Sequence, residues 1–171
     1  MVDDTSLVVA ARAGSRAAVG ELFDRHWPGV WRAAFMVTGR RDLADDVAQE
    51  AFIRAIQGLP TFDEGRPVRP WLRRITINCS VDLLRRERRS AGLEERGPDP
   101  LEDPELDVDL DLEMALRRLG WERRTVVVLH YWLGYRLSDI AEILEMPVGT
   151  VSSRLSRALG ELRGHLEGSH G

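Results

Sequence analysis

The stretch from Leu137 to Leu162, LSDIAEILEMPVGTVSSRLSRALGEL, limits what this chain can be more than any other. In its first half Leu137, Ile140, Ala141 and Leu144 recur at i, i+3, i+4 and i+7, one apolar stripe on a helix. Ser138 is placed to cap that helix, and Asp139 follows where the helix dipole favours negative charge. Ala141 is small enough for a second helix to cross closely. Glu145-Met146-Pro147 breaks the pattern, and Pro147 fits the first turn of a new helix, where its missing N–H costs nothing. In that helix Val151, Leu155, Leu159 and Leu162 face inward, while Ser152, Ser153, Ser156 and Arg157 face out as two i, i+4 pairs. This is the layout of a helix-turn-helix, whose second helix enters the DNA major groove. A helical hairpin with an ordinary solvated face would carry Glu and Lys there. Three Ser and one Arg suit base edges and phosphates instead.

A DNA-binding reading must be squared with a net charge of −4 over 171 residues. All 24 basic residues are Arg, and their distribution resolves the conflict. Residues 1–90 hold 15 Arg and 12 acids, a net +3. Residues 91–113 hold 1 Arg and 10 acids, a net −9, and residues 114–171 hold 8 Arg and 6 acids, a net +2. Two basic blocks therefore flank one acidic segment, and it is charge distribution that sets the electrostatic footprint. The segment AGLEERGPDPLEDPELDVDLDLE contains three Pro and two Gly, lacks a helical period, and reads as a linker extended by its own charge. The domains expected are 1–90 and 112–171, joined by an acidic flexible linker at 91–111.

Both blocks are helical by pattern, so the fold class is all-α: two small helical domains, the C-terminal one containing the helix-turn-helix. In the first block an amphipathic helix starts over Leu7–Ala13. A second runs from about Ser15 through Phe23, Trp27, Val30 and Trp31 towards Val37, with a break or bend at Pro28. Asp42 is placed to cap a third helix reaching about Gln57. GLPTFDEGRPVRP, residues 58–70, is a loop, and Trp71 to about Arg89 forms a fourth helix. Thr125–Leu129 is β-rich locally, yet its surroundings favour a buried helix. The single cysteine, Cys79, excludes an intramolecular disulfide and fits a reducing compartment. No apolar run approaches the roughly 18 residues needed to span a bilayer, and the start, MVDDTSLVVAARAG, is acidic where a signal peptide is basic. A soluble cytoplasmic protein without membrane insertion is expected. His26, His130, His165 and His170 are scattered, no metal-ligand spacing occurs, and no Ser/His/Asp, Cys/His or paired-carboxylate arrangement stands out. Neither a cofactor nor an enzymatic activity is expected.

Two helix faces are left over once a core has been assigned. The third helix buries Leu43, Ala44, Val47, Ala48, Ala51, Phe52, Ala55 and Ile56, and on its other side Asp46, Gln49, Glu50 and Ile53 fall within about 100° of one another. An isoleucine among acids is either an isolated exposed residue or the apolar anchor of a docking patch with a polar rim. The fourth helix is basic. Eight Arg against Asp82 and Glu87 give residues 66–89 a net +6. Leu72, Ile75, Cys79 and Leu83 face its core, with Arg73, Arg74, Asn78, Arg85, Arg88 and Arg89 facing away. Trp71 stands at the helix start beside the loop. Arginines with an aromatic ring and an exposed amide suit partly melted nucleic acid, whose unstacked bases need a pocket.

In this order and spacing, DDVAQEAFIRA (45–55), RPWLRRITINCSVDLLRR (69–86) and DIAEILEMPVGTVSSRLSRAL (139–159) resemble the extracytoplasmic-function (ECF) sigma factors of bacterial RNA polymerase. The resemblance implies a transcription initiation factor that binds core RNA polymerase and promoter DNA. It matches Asp46, Gln49, Glu50 and Ile53 to the surface that docks on the polymerase clamp helices. Recognition and melting of the −10 element fall to the loop and fourth helix, through Phe62, Arg66, Arg69, Trp71, Arg73, Arg74, Asn78 and Arg85. Ser152, Ser153, Ser156 and Arg157 match positions that enter the major groove at the −35 element, with Arg136, Thr150 and Arg154 as phosphate contacts or support. The acidic linker matches a segment that threads towards the RNA exit channel. The resemblance leaves open whether a membrane-bound anti-sigma factor holds the protein silent. Three positions depart from the family pattern: Gly120-Trp121 replaces a Leu-Pro pair, Glu145 replaces a turn glycine, and Ser152 replaces a basic residue. The rival reading is a stand-alone helix-turn-helix regulator that binds closed duplex, as a dimer, through residues 137–162.

Overall fold

The computed structural model describes residues 3–91 and 110–168, and among these residues every regular element is helical. In chain order they are α1 (Asp4–Arg12), α2 (Arg16–Thr38), α3 (Arg41–Gly58), a 3-10 turn (Leu59–Thr61), α4 (Val68–Ala91), α5 (Leu110–Arg118), α6 (Trp121–Val127), a π-helical segment (Val128–Trp132), α7 (Leu137–Leu144) and α8 (Val148–Gly168). Of the acidic segment expected as a linker at 91–111, all but its ends lies outside the described residues; Ala91 closes α4 and Leu110 opens α5. Packing divides the chain into two compact units, one of Met1–Phe35 with Arg41–Leu84 and the other of Met36–Arg40 with Arg85–Gly171.

The first unit opens on α1, capped by Asp3, whose carboxylate accepts from the Ser6 N–H at 2.7 Å. That bond holds the Asp3 carboxyl below the ordinary carboxylate range. Leu7 and Val8 carry the buried face. Of the break or bend expected at Pro28, the break is absent: α2 runs from Arg16 to Thr38 with the proline inside it. Pro28 and Asp24, whose carbonyl loses its intrahelical partner, both face solvent, so water takes the carbonyl. The neighbouring side chains pack strongly: Phe23, Trp27 and Phe52 form one cluster with ring centroids 4.7–6.0 Å apart, a contribution that outweighs one missing ladder bond.

Small side chains decide how α3 packs. Ala44, Ala48, Ala51 and Ala55 are buried together with Leu43, Val47 and Phe52, which lets neighbouring helices approach closely. Asp42 sits within the first turn instead of capping it, because α3 already starts at Arg41. Ile56 is a second correction: expected in the core, it is 47% exposed. The alanine face fills the inner arc, and Ile56 lies outside it, about 60° from Ile53 at 100° per residue.

The fourth helix begins earlier than the sequence indicated, at Val68, with Pro70 in its first turn where proline is tolerated. Its buried stripe is also wider, taking in Leu72, Thr76, Ile77, Cys79, Ser80, Val81 and Leu84, with Ile75 and Leu83 half-buried. The two buried hydroxyls bond back along the helix, Thr76 Oγ1 to the Leu72 carbonyl at 2.8 Å and Ser80 Oγ to the Thr76 carbonyl at 2.9 Å.

In the second unit α8 packs on α5, α6 and α7. Ile140, Ala141, Ile143 and Leu144 of α7 are buried, as are Val151, Leu155, Ala158 and Leu162 of α8. Leu159, expected inside, is exposed, and Ala158 takes the inward position. Seven residues from Val151 is nearly two full turns, whereas Leu159 is rotated on by about 100°. Ser138 does not cap α7. The cap is Arg136, whose N–H donates to the Asp139 carboxylate at 3.3 Å.

The turn between α7 and α8 is closed by Glu145 in the left-handed region, φ 51° and ψ 48°. A side chain there costs roughly 1 kcal/mol, so the glycine that the resemblance puts at this position has a conformational reason. The Met146 N–H closes the turn onto the Ala141 carbonyl at 3.0 Å, and the Pro147 carbonyl accepts from Thr150 and Val151 at 2.9 and 3.1 Å. Thr125–Leu129 is the buried helical stretch expected, completed by the π-helical segment, and Gly120 caps it at Trp121. Among the described residues no helix is long and apolar enough to cross a membrane.

Candidate functional site

Three surfaces correspond to the three groups of candidate residues. On α8, Ser152, Ser153, Ser156 and Arg157 are all exposed, and at 100° per residue they share about 140° of the helix circumference. Ser153 Oγ donates back to the Thr150 carbonyl at 3.0 Å, and Thr150 is half-buried at the helix start. Arg136 is exposed at the start of α7. Arg154 is turned inward: its Nη1 meets Glu122 Oε2 at 2.9 Å. Arg123 Nη1 meets Glu161 Oε1 at 3.1 Å. The two ion pairs run between α6 and α8 in opposite senses, one arginine from each helix, and so fix the rotation of α8 about its axis. Glu122, Arg123 and Glu161 were missed in the sequence, because their partners lie about 30 to 40 residues away and no periodicity links them. Arg124 is buried, which with Arg117 nearby lowers its guanidinium to about 10 and still leaves it charged at neutral pH.

The group on α4 divides. At 100° per residue Trp71, Arg74, Asn78 and Arg85 fall within about 60° of one another. Arg74 and Asn78 are exposed there, and Trp71 and Arg85 are half-buried. Arg69 and Arg73 are rotated away by about 100° or more, and Arg66 is an exposed loop residue paired with Asp63 at 3.4 Å. Phe62 differs from its assigned role. It is only 7% exposed, and its ring packs on Trp71 with centroids 4.4 Å apart. Trp71 in turn lies so close to Gly58 that a Cβ there would meet it at 3.2 Å. The loop is therefore folded around the Phe62–Trp71 pair.

On α3, Asp46 and Gln49 are exposed, Glu50 is half-buried and Ile53 is 51% exposed. Ile56 extends the same face, a residue that periodicity alone had put in the core. Glu50 is held by Arg54 Nε at 2.7 Å, and Arg54 Nη1 reaches Asp82 of α4 at 3.3 Å. The Glu50 hydrogen bond raises the Arg54 guanidinium above its ordinary value. Two isoleucines one turn apart, edged by carboxylates and an amide, make an apolar strip with a polar rim.

The likeness to known proteins decides between the readings. Residues 22–90 match Sigma-70 region 2 and residues 109–162 match Sigma-70, region 4. The chain is 35% identical over 168 residues to the ECF RNA polymerase sigma factor SigM of Mycobacterium tuberculosis, covering 95% of this chain and 86% of that one. The chain belongs to the ECF sigma factors. It is 31% identical to SigW of Bacillus subtilis, covering 91% of this chain and 92% of that protein. Among solved structures it is similar to the sigma factor RpoE of Bartonella quintana, crystallised with the anti-sigma factor NepR, at a TM-score of 0.63 and 25% identity over 86% of this chain and 96% of that one. It is also similar to CnrH, solved with the cytosolic domain of CnrY, at a TM-score of 0.57 and 27% identity over 96% and 97%. The protein is a transcription initiation factor, and a stand-alone regulator is not favoured.

In this sigma factor the burial of Phe62 has a measurable consequence. Phe62→Ala should lower the free energy of unfolding by about 3 kcal/mol in urea titrations. A change within about 0.5 kcal/mol, the range of a surface substitution, would put the ring outside the fold and free to stack on a base.

Proposed function

We propose that this sigma factor docks on core RNA polymerase through the outer face of α3 and presents two DNA-binding surfaces. The domains proposed are 1–90 for docking and the −10 element, 112–171 for the −35 element, with 91–111 as the acidic connection. The observation that carries the reading is the pair Ile53 and Ile56, both about half exposed beside Asp46, Gln49 and Glu50. A helix that buries alanines and exposes isoleucines has its larger apolar groups available to a partner. The acids fit a basic groove, and like charges there would steer the wrong partner away.

Promoter melting is assigned to the loop at 58–70 and to the α4 side holding Trp71, Arg74, Asn78 and Arg85. Asn78 is exposed and carries both a donor and an acceptor for the edge of an extruded base. Arg66, Arg69 and Arg73 serve as phosphate contacts around it, and Phe62 as support. Recognition of −35 is assigned to Ser152, Ser153, Ser156 and Arg157, with Arg136 and Thr150 towards phosphates and Arg154 holding α8 in place. The sigma factor supplies no chemistry of its own and works in the cytoplasm, where polymerase makes the RNA. An anti-sigma factor is a proposed second partner, in keeping with the complex described for the Bartonella quintana relative.

Two substitutions test the assignments separately. Ile53→Asp should leave the circular dichroism spectrum unchanged and abolish co-purification with core polymerase, since an unpaired charge buried in an interface costs about 3–5 kcal/mol. Wild-type affinity for core enzyme would remove α3 as the docking face. Arg157→Ala should weaken binding at the cognate −35 element by about 1–3 kcal/mol and relax preference at one or two base pairs. Equal weakening on all sequences would make Arg157 a phosphate contact.

A further inference from the structure

Arg12, the last residue of α1, lies before the stretch that matches Sigma-70 region 2 and has no part in the surfaces described above. Its guanidinium is mostly buried and spends three donors on one loop. Nε donates to the Leu59 carbonyl at 2.6 Å, Nη2 donates to the Phe62 carbonyl, and Nη1 pairs with the Glu64 carboxylate. These acceptors lie 47 to 52 residues away in sequence. The Leu59 carbonyl already accepts from the Phe62 N–H at 3.2 Å within the 3-10 turn, and its second lone pair takes the Arg12 Nε. The guanidinium spreads its donors over three nitrogens in a fixed plane and meets one acceptor with each; an ammonium gathers its three donors on one atom at the end of a flexible stem.

The loop that Arg12 grips also carries bonds of its own. The Gly65 N–H donates to Asp63 Oδ1 at 2.9 Å, the Arg66 N–H to the Asp63 carbonyl at 3.0 Å, and Thr61 Oγ1 to the Gly58 carbonyl at 3.2 Å. Both α1 and α3 pack on its 3-10 turn. Arg12 therefore joins the loop to α1, while the Phe62–Trp71 ring pair joins it to α4, about two turns before Asn78 on the same side of that helix.

We propose that Arg12 is a positioning residue for the −10 element: it fixes the loop in the shape that receives the unstacked base without itself touching DNA. The proposal rests on the assignment of the loop and Asn78 to −10 recognition.

The test uses holoenzyme assembled from the full chain and core polymerase. Open-complex formation is followed by permanganate reactivity on a cognate promoter and on promoters with single −10 substitutions. Arg12→Ala should leave affinity for core enzyme and for −35 duplex unchanged, slow melting of the cognate promoter roughly tenfold, as loss of a charged hydrogen bond implies, and lower the ratio of cognate to substituted rates. Arg12→Lys keeps the charge without the fork and should recover less than half of that ratio. A wild-type ratio in Arg12→Ala overturns the proposal, and so does an equal slowing on every promoter, which marks a purely structural role. Should Arg12→Ala fail to fold, Arg12→Lys decides alone: a lowered ratio supports the proposal and a wild-type ratio overturns it. Asn78→Ala in parallel separates the two failures. A ratio lowered by Asn78→Ala alone removes Arg12 and keeps the loop; ratios unchanged in both remove the loop from −10 recognition.

Discussion

The close packing of the alanines on α3 is the constraint on which the first unit depends. With Ala44, Ala48, Ala51 and Ala55 inward, the helix sits deep among its neighbours and contributes little bulk of its own. Phe52 is its one buried aromatic side chain, packed against Phe23 and Trp27 of α2. Everything large that remains, Ile53 and Ile56, is then pushed to the outside, where it is available to another protein. Arg54 links this outer edge to α4 through Glu50 and Asp82.

The second unit solves a similar problem with charge. A recognition helix is useful only if its rotation is fixed, since a turn of about 100° replaces every outward residue by its neighbour. Two ion pairs from α6, Glu122 to Arg154 and Arg123 to Glu161, hold α8 at two points about two turns apart along one side, and the left-handed residue Glu145 sets its entry angle. Arg157 is then left on the exposed face with three serines. A face with so few cations makes few phosphate contacts, and phosphate contacts supply most of the free energy of DNA binding. In the −35 role proposed for it, such a surface would read sequence while holding DNA weakly. That suits a subunit whose affinity for DNA comes with its partner enzyme.

Much of this was legible in the sequence because amphipathic period reports directly on which residues are inward. The helices α1 to α4, the helix-turn-helix and its exposed serines follow from spacing, and the three motifs in order pointed to the family; α5, which opens at Leu110 inside the stretch read as linker, did not. The misreadings share one cause. Ile56, Leu159 and Phe62 are hydrophobic or aromatic, yet their places depend on what the neighbouring elements bring: alanines fill the core beside Ile56, Ala158 takes the position expected for Leu159, and Trp71 draws Phe62 under the loop. Pro28 fails as a helix breaker for the same reason, since tertiary packing of Phe23 and Trp27 overrides a local preference. Arg12 was silent because its partners are about fifty residues distant and no local pattern distinguishes it from other surface arginines.

Promoter affinity measured with and without core RNA polymerase bears most directly on the division of labour between the docking strip and the DNA surfaces. The chain alone should bind promoter duplex little better than random duplex at physiological salt. With core polymerase it should form a permanganate-reactive complex and yield a promoter-specific run-off transcript. Tight, sequence-specific binding of closed duplex by the chain alone, with no specific transcript once core polymerase is added, would contradict it.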